Sequence, residues 1–158
     1  MTPLSSFKLE RRGLQICVAL AACFTVWGGL RGALFGMAGI SDPAFGMRGA
    51  VDVVDSHFTY LSGIMLAIGI WFWASVPHIE KHSRRFDVLV SAVFAGGVFR
   101  LIRVVEGGIT DRDTLISLAL EVVVAPLLLL WQRRIAHQYK TLAAAARKAR
   151  EENATATA

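Results

Sequence analysis

Away from their ends, the apolar stretches of this sequence hold one carboxylate, Glu121. Cysteine is almost as scarce: Cys17 and Cys23 are the two present. Six residues apart on a helix, they stand about 9 Å apart along the axis and on different faces, which excludes a disulfide between them. They say nothing of redox compartment, and the expectation is a pair of buried apolar thiols. No Gly-x-Ser-x-Gly, His-Glu-x-x-His, P-loop or Cys-x-x-Cys arrangement occurs, so no nucleophile has an identifiable base. Nor is any stretch long enough for a separate soluble domain. Function must therefore reside in the apolar segments, their loops or their surfaces.

What is present is apolar. Hydrophobic residues make up 54% of the 158 and the mean hydropathy is +0.51, enough for four spans of about 20 residues with short connections. The net charge of +5 and pI near 9.8 suggest nucleic acid at first sight. That reading is rejected because the basic residues cluster beside the apolar runs, where topology explains them. The expected fold is all-α, a polytopic four-transmembrane-helix bundle. Its spans fall at about 13–37, 57–76, 86–106 and 114–132, between a tail at 1–12 and a basic helical extension at 133–158.

Lys8, Arg11 and Arg12 precede the first run, which is too long for a signal-peptide core and lacks a clear cleavage site; a retained span is expected. Gly28, Gly32 and Gly36 repeat every four residues there, a strip that lets another backbone approach closely. Arg31 lies about 27 Å along the helix from Gly13 and reads as a snorkelling interfacial residue. Ser41, Asp42 and Pro43 form a turn, and residues 44–56 a mixed loop or short interfacial helix. Tyr60 opens the second span and Trp71 and Trp73 close it, as in interfacial aromatic belts. Thr59, Ser62, Gly63 and Gly69 offer small packing positions, and Pro77 stops the helix. In the third span Gly96 and Gly97 allow close packing one turn before Arg100. Asp113 or Thr114 is placed to cap the fourth, where Pro126 removes a backbone donor and should bend the helix.

Charge alternates with the segments. The tail at 1–12, the connector carrying Lys81, Arg84 and Arg85, and the C-terminal extension are basic. The first loop, with Asp42, Asp52 and Asp55, and the third, with Glu106, Asp111 and Asp113, are acidic. Four spans with both termini cytoplasmic predict this alternation. Depth then follows from helix rise: Arg100 lies about 8 Å and Glu121 about 10 Å below the same outer boundary. A short loop makes their helices antiparallel neighbours, so the pair is geometrically reasonable. Arg103 is one turn nearer the surface. Arg31, Asp55, His57 and Tyr60 belong to the same outer half.

Three readings of that cluster compete. The arginines and Glu121 lock two helices together, or they line an outward-open pocket for an anionic or polar head group, or Glu121 relays a proton. A relay needs polar steps to the other side, and the cytoplasmic halves are too apolar for it. Asp52, Asp55 and His57 lack a specific zinc or calcium spacing, and His78 with His82 is a weak pair, so no metal and no cofactor is expected.

The stretches DSHFTYLSGIMLAIGIWFW, AGGVFRLIRVVEGG and LALEVVVAPLLLLW resemble a bacterial family of small four-span membrane proteins known as a domain of unknown function. The resemblance covers roughly 55–131. It implies the four-helix fold and the interest of Asp55, Arg100, Glu121 and Pro126, and it transfers no activity. The reading that results is a multi-pass protein of the bacterial inner membrane, non-enzymatic, that binds a lipid or amphiphile or serves as an accessory subunit. The lipid bilayer, an amphiphilic ligand, and further copies or a larger membrane complex are its candidate partners. The alternatives are a small oligomeric transporter using Glu121 and Arg100, and a lipid-modifying membrane enzyme with Asp55, His57 or Glu121 in acid–base roles.

Overall fold

Long runs of leucine, alanine and valine with few internal breakers favour uninterrupted helices, and the computed structural model is all-helical. It describes residues 3–39, 48–108 and 111–156, with the side chains of residues 3, 38–39 and 48–51 outside that description. Helix α1 runs over Pro3–Phe35 and ends in a 3-10 turn, Gly36–Gly39; α2 spans Arg48–Ser75 and passes through a 3-10 turn at Val76–His78. Then come α3, Ser83–Gly107, and a continuous helix made of α4, Arg112–Ala119, a π-helical turn, Leu120–Val124, and α5, Ala125–Ala156. Four helices are long and apolar enough to cross a membrane. The turn expected at Ser41, Asp42 and Pro43 lies outside the described residues, and α2 has already begun at Arg48.

The chain divides into two compact units, residues 17–77 and residues 1–16 with 78–158. In the first, α1 and α2 are antiparallel, and their contacts step along both helices. Asp55 accepts from the Met37 amide, Ser62 packs on Gly32, Leu66 on Gly29 and Val26 on Gly69, and the Trp73 indole donates to the Ala19 carbonyl at 3.1 Å. The closest approach of main chain is at Gly29, where a Cβ would stand 2.5 Å from the Leu66 nitrogen and 2.7 Å from its Cα. Gly28 meets only the tip of Met65. The strip through Gly28, Gly32 and Gly36 is thus displaced by one residue at its first position, because adjacent glycines let the helix rotate to bring main chain against main chain. Gly63 opens onto no neighbour within 4 Å. Cys17 and Cys23 are exposed free thiols rather than buried ones; on a helix packed along one face, the other faces have no protein to bury against.

In the second unit the apolar core comes from Leu14, Ile79, Phe86, Val90, Ile135 and Ala136. Polar contacts fix the ends. Gln132, fully buried, donates from Nε2 to the Ile79 carbonyl at 2.8 Å and to Ser83 Oγ at 3.0 Å. Arg11 pairs with the buried Glu80 at 2.9 Å, Arg134 with Glu10 at 3.1 Å, and Arg133 with Asp87 at 3.2 Å. Helix α3 ends at Gly108, whose φ of +59° is the left-handed region glycine adopts without strain. The cap of the next helix is Asp111, not Asp113 or Thr114: its carboxylate accepts from the Thr114 amide at 2.9 Å. The helix therefore begins two or three residues earlier than the apolar pattern suggests, with the Thr114 amide capped.

Candidate functional site

Antiparallel packing of α3 on the α4–α5 helix brings Arg100 level with Glu121. Glycine at 97 makes the approach close. A Cβ there would stand 2.7 Å from the Glu121 Cβ and 2.9 Å from Val122 Cγ2. Gly96 has no neighbour within 4 Å, so the close packing expected of both glycines falls to Gly97 alone. Arg100 Nη1 then reaches Glu121 Oε1 at 3.1 Å and donates to Ser117 Oγ at 2.8 Å. Ser117 in turn donates to the Thr114 carbonyl at 2.9 Å, so it meets the arginine only as an acceptor. Ser117 was not among the candidates from sequence. One turn before Glu121, it shares that residue's helical face, and this spacing was the available signal.

The main chain at Glu121 is unusual. Residues 120–124 form a π turn, in which the Ala125 amide donates to the Leu120 carbonyl rather than to that of Glu121. Pro126 has no N–H to offer in its place. The proline's missing donor is accommodated by widening the turn that precedes it. Such π turns occur often at functional positions. The amide of Ala125, which Pro126 cannot replace, is thus directed away from the Glu121 carbonyl. Beside it, Glu121 Oε2 is buried and has no hydrogen-bond partner.

The other candidates are placed as follows. Arg103 pairs with Glu106 on its own helix at 3.1 Å, with 82% of its side chain exposed; such a pair contributes little. Asp55, Arg31, His57 and Tyr60 belong to the 17–77 unit. Asp55 is committed to the Met37 amide at the turn ending α1. The His57 Nδ1–H donates to the Val53 carbonyl at 2.9 Å. Arg31 and Tyr60 are exposed. Arg100 and Glu121 are joined by an ion pair, and Gly97 packs on the same glutamate. Among the described residues, no group of three or more His, Cys, Asp or Glu side chains is placed to hold a metal ion, and His78 and His82 stand edge to face with ring centres 6.5 Å apart.

Residues 13–132 match a family described as Domain of unknown function (DUF4345). The chain belongs to the DUF4345 family. The match takes in apolar stretches of all four helices and both members of the Arg100–Glu121 pair, and it stops before the basic stretch of α5. No curated protein and no solved structure gives a significant match.

Proposed function

We propose that the chain is a non-enzymatic, multi-pass protein of the bacterial inner membrane, with both termini cytoplasmic, that holds a lipid or other amphiphile at Arg100, Ser117 and Glu121 in its non-cytoplasmic half. In this reading residues 13–132 form the membrane domain, between the tail at 1–12 and the extension at 133–158. Insertion is supported by the outward apolar side chains: Phe24, Trp27, Phe99 and Val105 are each about 70% exposed, an arrangement suited to hydrocarbon rather than water. Orientation is supported by the basic residues flanking both termini and the second connector, against acidic first and third loops.

The observation that carries the ligand reading is the incomplete use of Arg100. Its Nη1 serves both Ser117 and Glu121, while Nε and Nη2 have no partner among the described residues, and 44% of the side chain is exposed. A guanidinium has five N–H donors, and hydrocarbon supplies none of the acceptors that water would. A polar or anionic head group would complete the set. The competing reading, a structural lock, is favoured by the tight packing of Gly97 on Glu121.

One experiment separates them. Wild type and Arg100→Leu are purified with native lipids, and retained amphiphile is measured by native mass spectrometry beside melting in detergent. Loss of retained amphiphile with a melting temperature changed by only a few degrees supports the head-group site. Equal loss of both identifies a lock.

A further inference from the structure

Resting on the head-group site proposed above, we infer that its ligand is a long-chain carboxylic acid, and that binding passes the acid's proton to Glu121 so that Arg100 exchanges one carboxylate partner for another. The exchange balances. The ligand's O–H bond breaks, an O–H bond forms on the Glu121 carboxylate, and Arg100 keeps its charge throughout. Nothing is oxidised or reduced.

Charge is the first argument. Arg100 and Glu121 already neutralise each other at 3.1 Å. A permanently charged phosphodiester added to that pair would leave one uncompensated negative charge at the site, where hydrocarbon makes it costly. A carboxylic acid arrives neutral and leaves the cluster neutral. The second argument is access. A zwitterionic lipid could preserve neutrality by bringing an ammonium to Glu121, but the oxygen that Arg100 does not hold is buried against Gly97. A proton reaches such an oxygen; an ammonium group, which needs several acceptors around it, does not fit there. Third, the π turn sends the Ala125 amide to Leu120 and Pro126 has no N–H, so neither donates to the carbonyl of the residue that takes the proton.

The surrounding charges do not compete. From α3, the groups toward this end are Arg100 and Arg103, the latter held by Glu106. On the α4–α5 helix the nearest ionisable residues are Asp113 and Arg133, about two and three turns away along the helix. In the α1 segment of the same unit, Glu10 and Arg11 are paired with Arg134 and Glu80, and Lys8 and Arg12 lie beside them in sequence.

The test uses the full chain in neutral detergent with oleic acid as the probe. Wild-type protein in weak buffer should take up one proton for each oleate bound from its anionic form, after subtraction of protein-free micelles. Zero uptake overturns the exchange, and this measurement needs no variant. Affinity for oleate should fall toward tenfold per pH unit as pH rises. In Glu121→Gln, where no carboxylate competes for Arg100, binding should be at least tenfold tighter and lose this slope. Weaker binding, or an unchanged slope, overturns the exchange while leaving the site intact. Arg100→Leu should reduce oleate binding at least tenfold; no reduction overturns the site itself and with it the functional reading above. Phosphatidylglycerol or phosphatidylethanolamine displacing oleate at equal concentration would overturn the ligand class.

Discussion

In the unit formed by residues 17–77, two helices meet through atoms that are absent: Gly29, Gly32 and Gly69 let Leu66, Ser62 and Val26 approach the main chain. In the other unit, α3 and the connector before it meet the α4–α5 helix through groups that attract: Arg100 with Glu121, Arg133 with Asp87, and Gln132 with Ser83 and the Ile79 carbonyl. Both are established ways to join helices where burial of apolar surface offers little drive. They differ in what they leave over. A glycine contact is complete once formed, whereas the arginine and glutamate of the second unit retain unused hydrogen-bonding capacity. Chemistry is therefore expected where charge, not glycine, does the joining.

The largest effect that would break this comparison is at Gly29. A Cβ there meets the Leu66 amide nitrogen at 2.5 Å and its Cα at 2.7 Å, main-chain atoms that cannot rotate away. Gly29→Val should destabilise the protein by about 3 kcal/mol or more, read as a collapse of the melting temperature in detergent. Gly63→Val, on the open face of α2, should change it by less than about 0.5 kcal/mol. Similar losses from both would mean that glycine content, and not close approach, governs this unit.

Gly97→Ala comes next. The obstacles are the Glu121 Cβ and Val122 Cγ2, side-chain atoms on a π turn that has room to readjust, so about 1–2 kcal/mol is expected. Gly96→Ala should be neutral or slightly stabilising, since alanine is the better helix former. Because the new methyl presses on Glu121, Gly97→Ala should also disturb amphiphile retention. A variant that loses stability and retains ligand normally would separate the packing of Gly97 from the site.

These positions also show how far sequence reasoning reached. Four helices were legible because apolar run length states them directly, and Arg100 could be set level with Glu121 because helix rise measures depth from a shared loop. Gly29 could not be told from Gly28, nor Gly97 from Gly96. Adjacent residues differ by about 100° on a helix, and only the partner's surface decides which one faces it. Pro126 announced a lost hydrogen bond. Whether the helix answers by bending or by widening into a π turn depends on what packs against it, here Gly97 of α3. Gln132 was missed altogether. Next to Arg133 and Arg134 it reads as the polar exit of a span, yet it is fully buried and ties α5 to the connector before α3.

The smallest expected effect is at the loop joining the charged pair's two helices, and it sharpens the comparison by asking whether the charged unit depends on pH away from its site. Asp111 lies outside the spans. Hydrogen bonds from Thr114, chiefly its backbone amide, hold the Asp111 carboxyl below its ordinary value of 3.8. A depressed carboxyl contributes stability that is present above its unfolded value and lost as pH falls through the folded one. Wild-type melting temperature should therefore fall on acidification below about pH 4, beyond any fall shared by all variants. Asparagine keeps the capping oxygen and cannot titrate. Asp111→Asn should match wild type at pH 3 and melt slightly lower at pH 7, while Asp111→Ala should melt lower at both. If asparagine and alanine behave alike, the cap contributes through charge alone. If wild type and asparagine melt together at every pH, the hydrogen bond to Thr114 suffices and the carboxylate's charge adds nothing to this helix start.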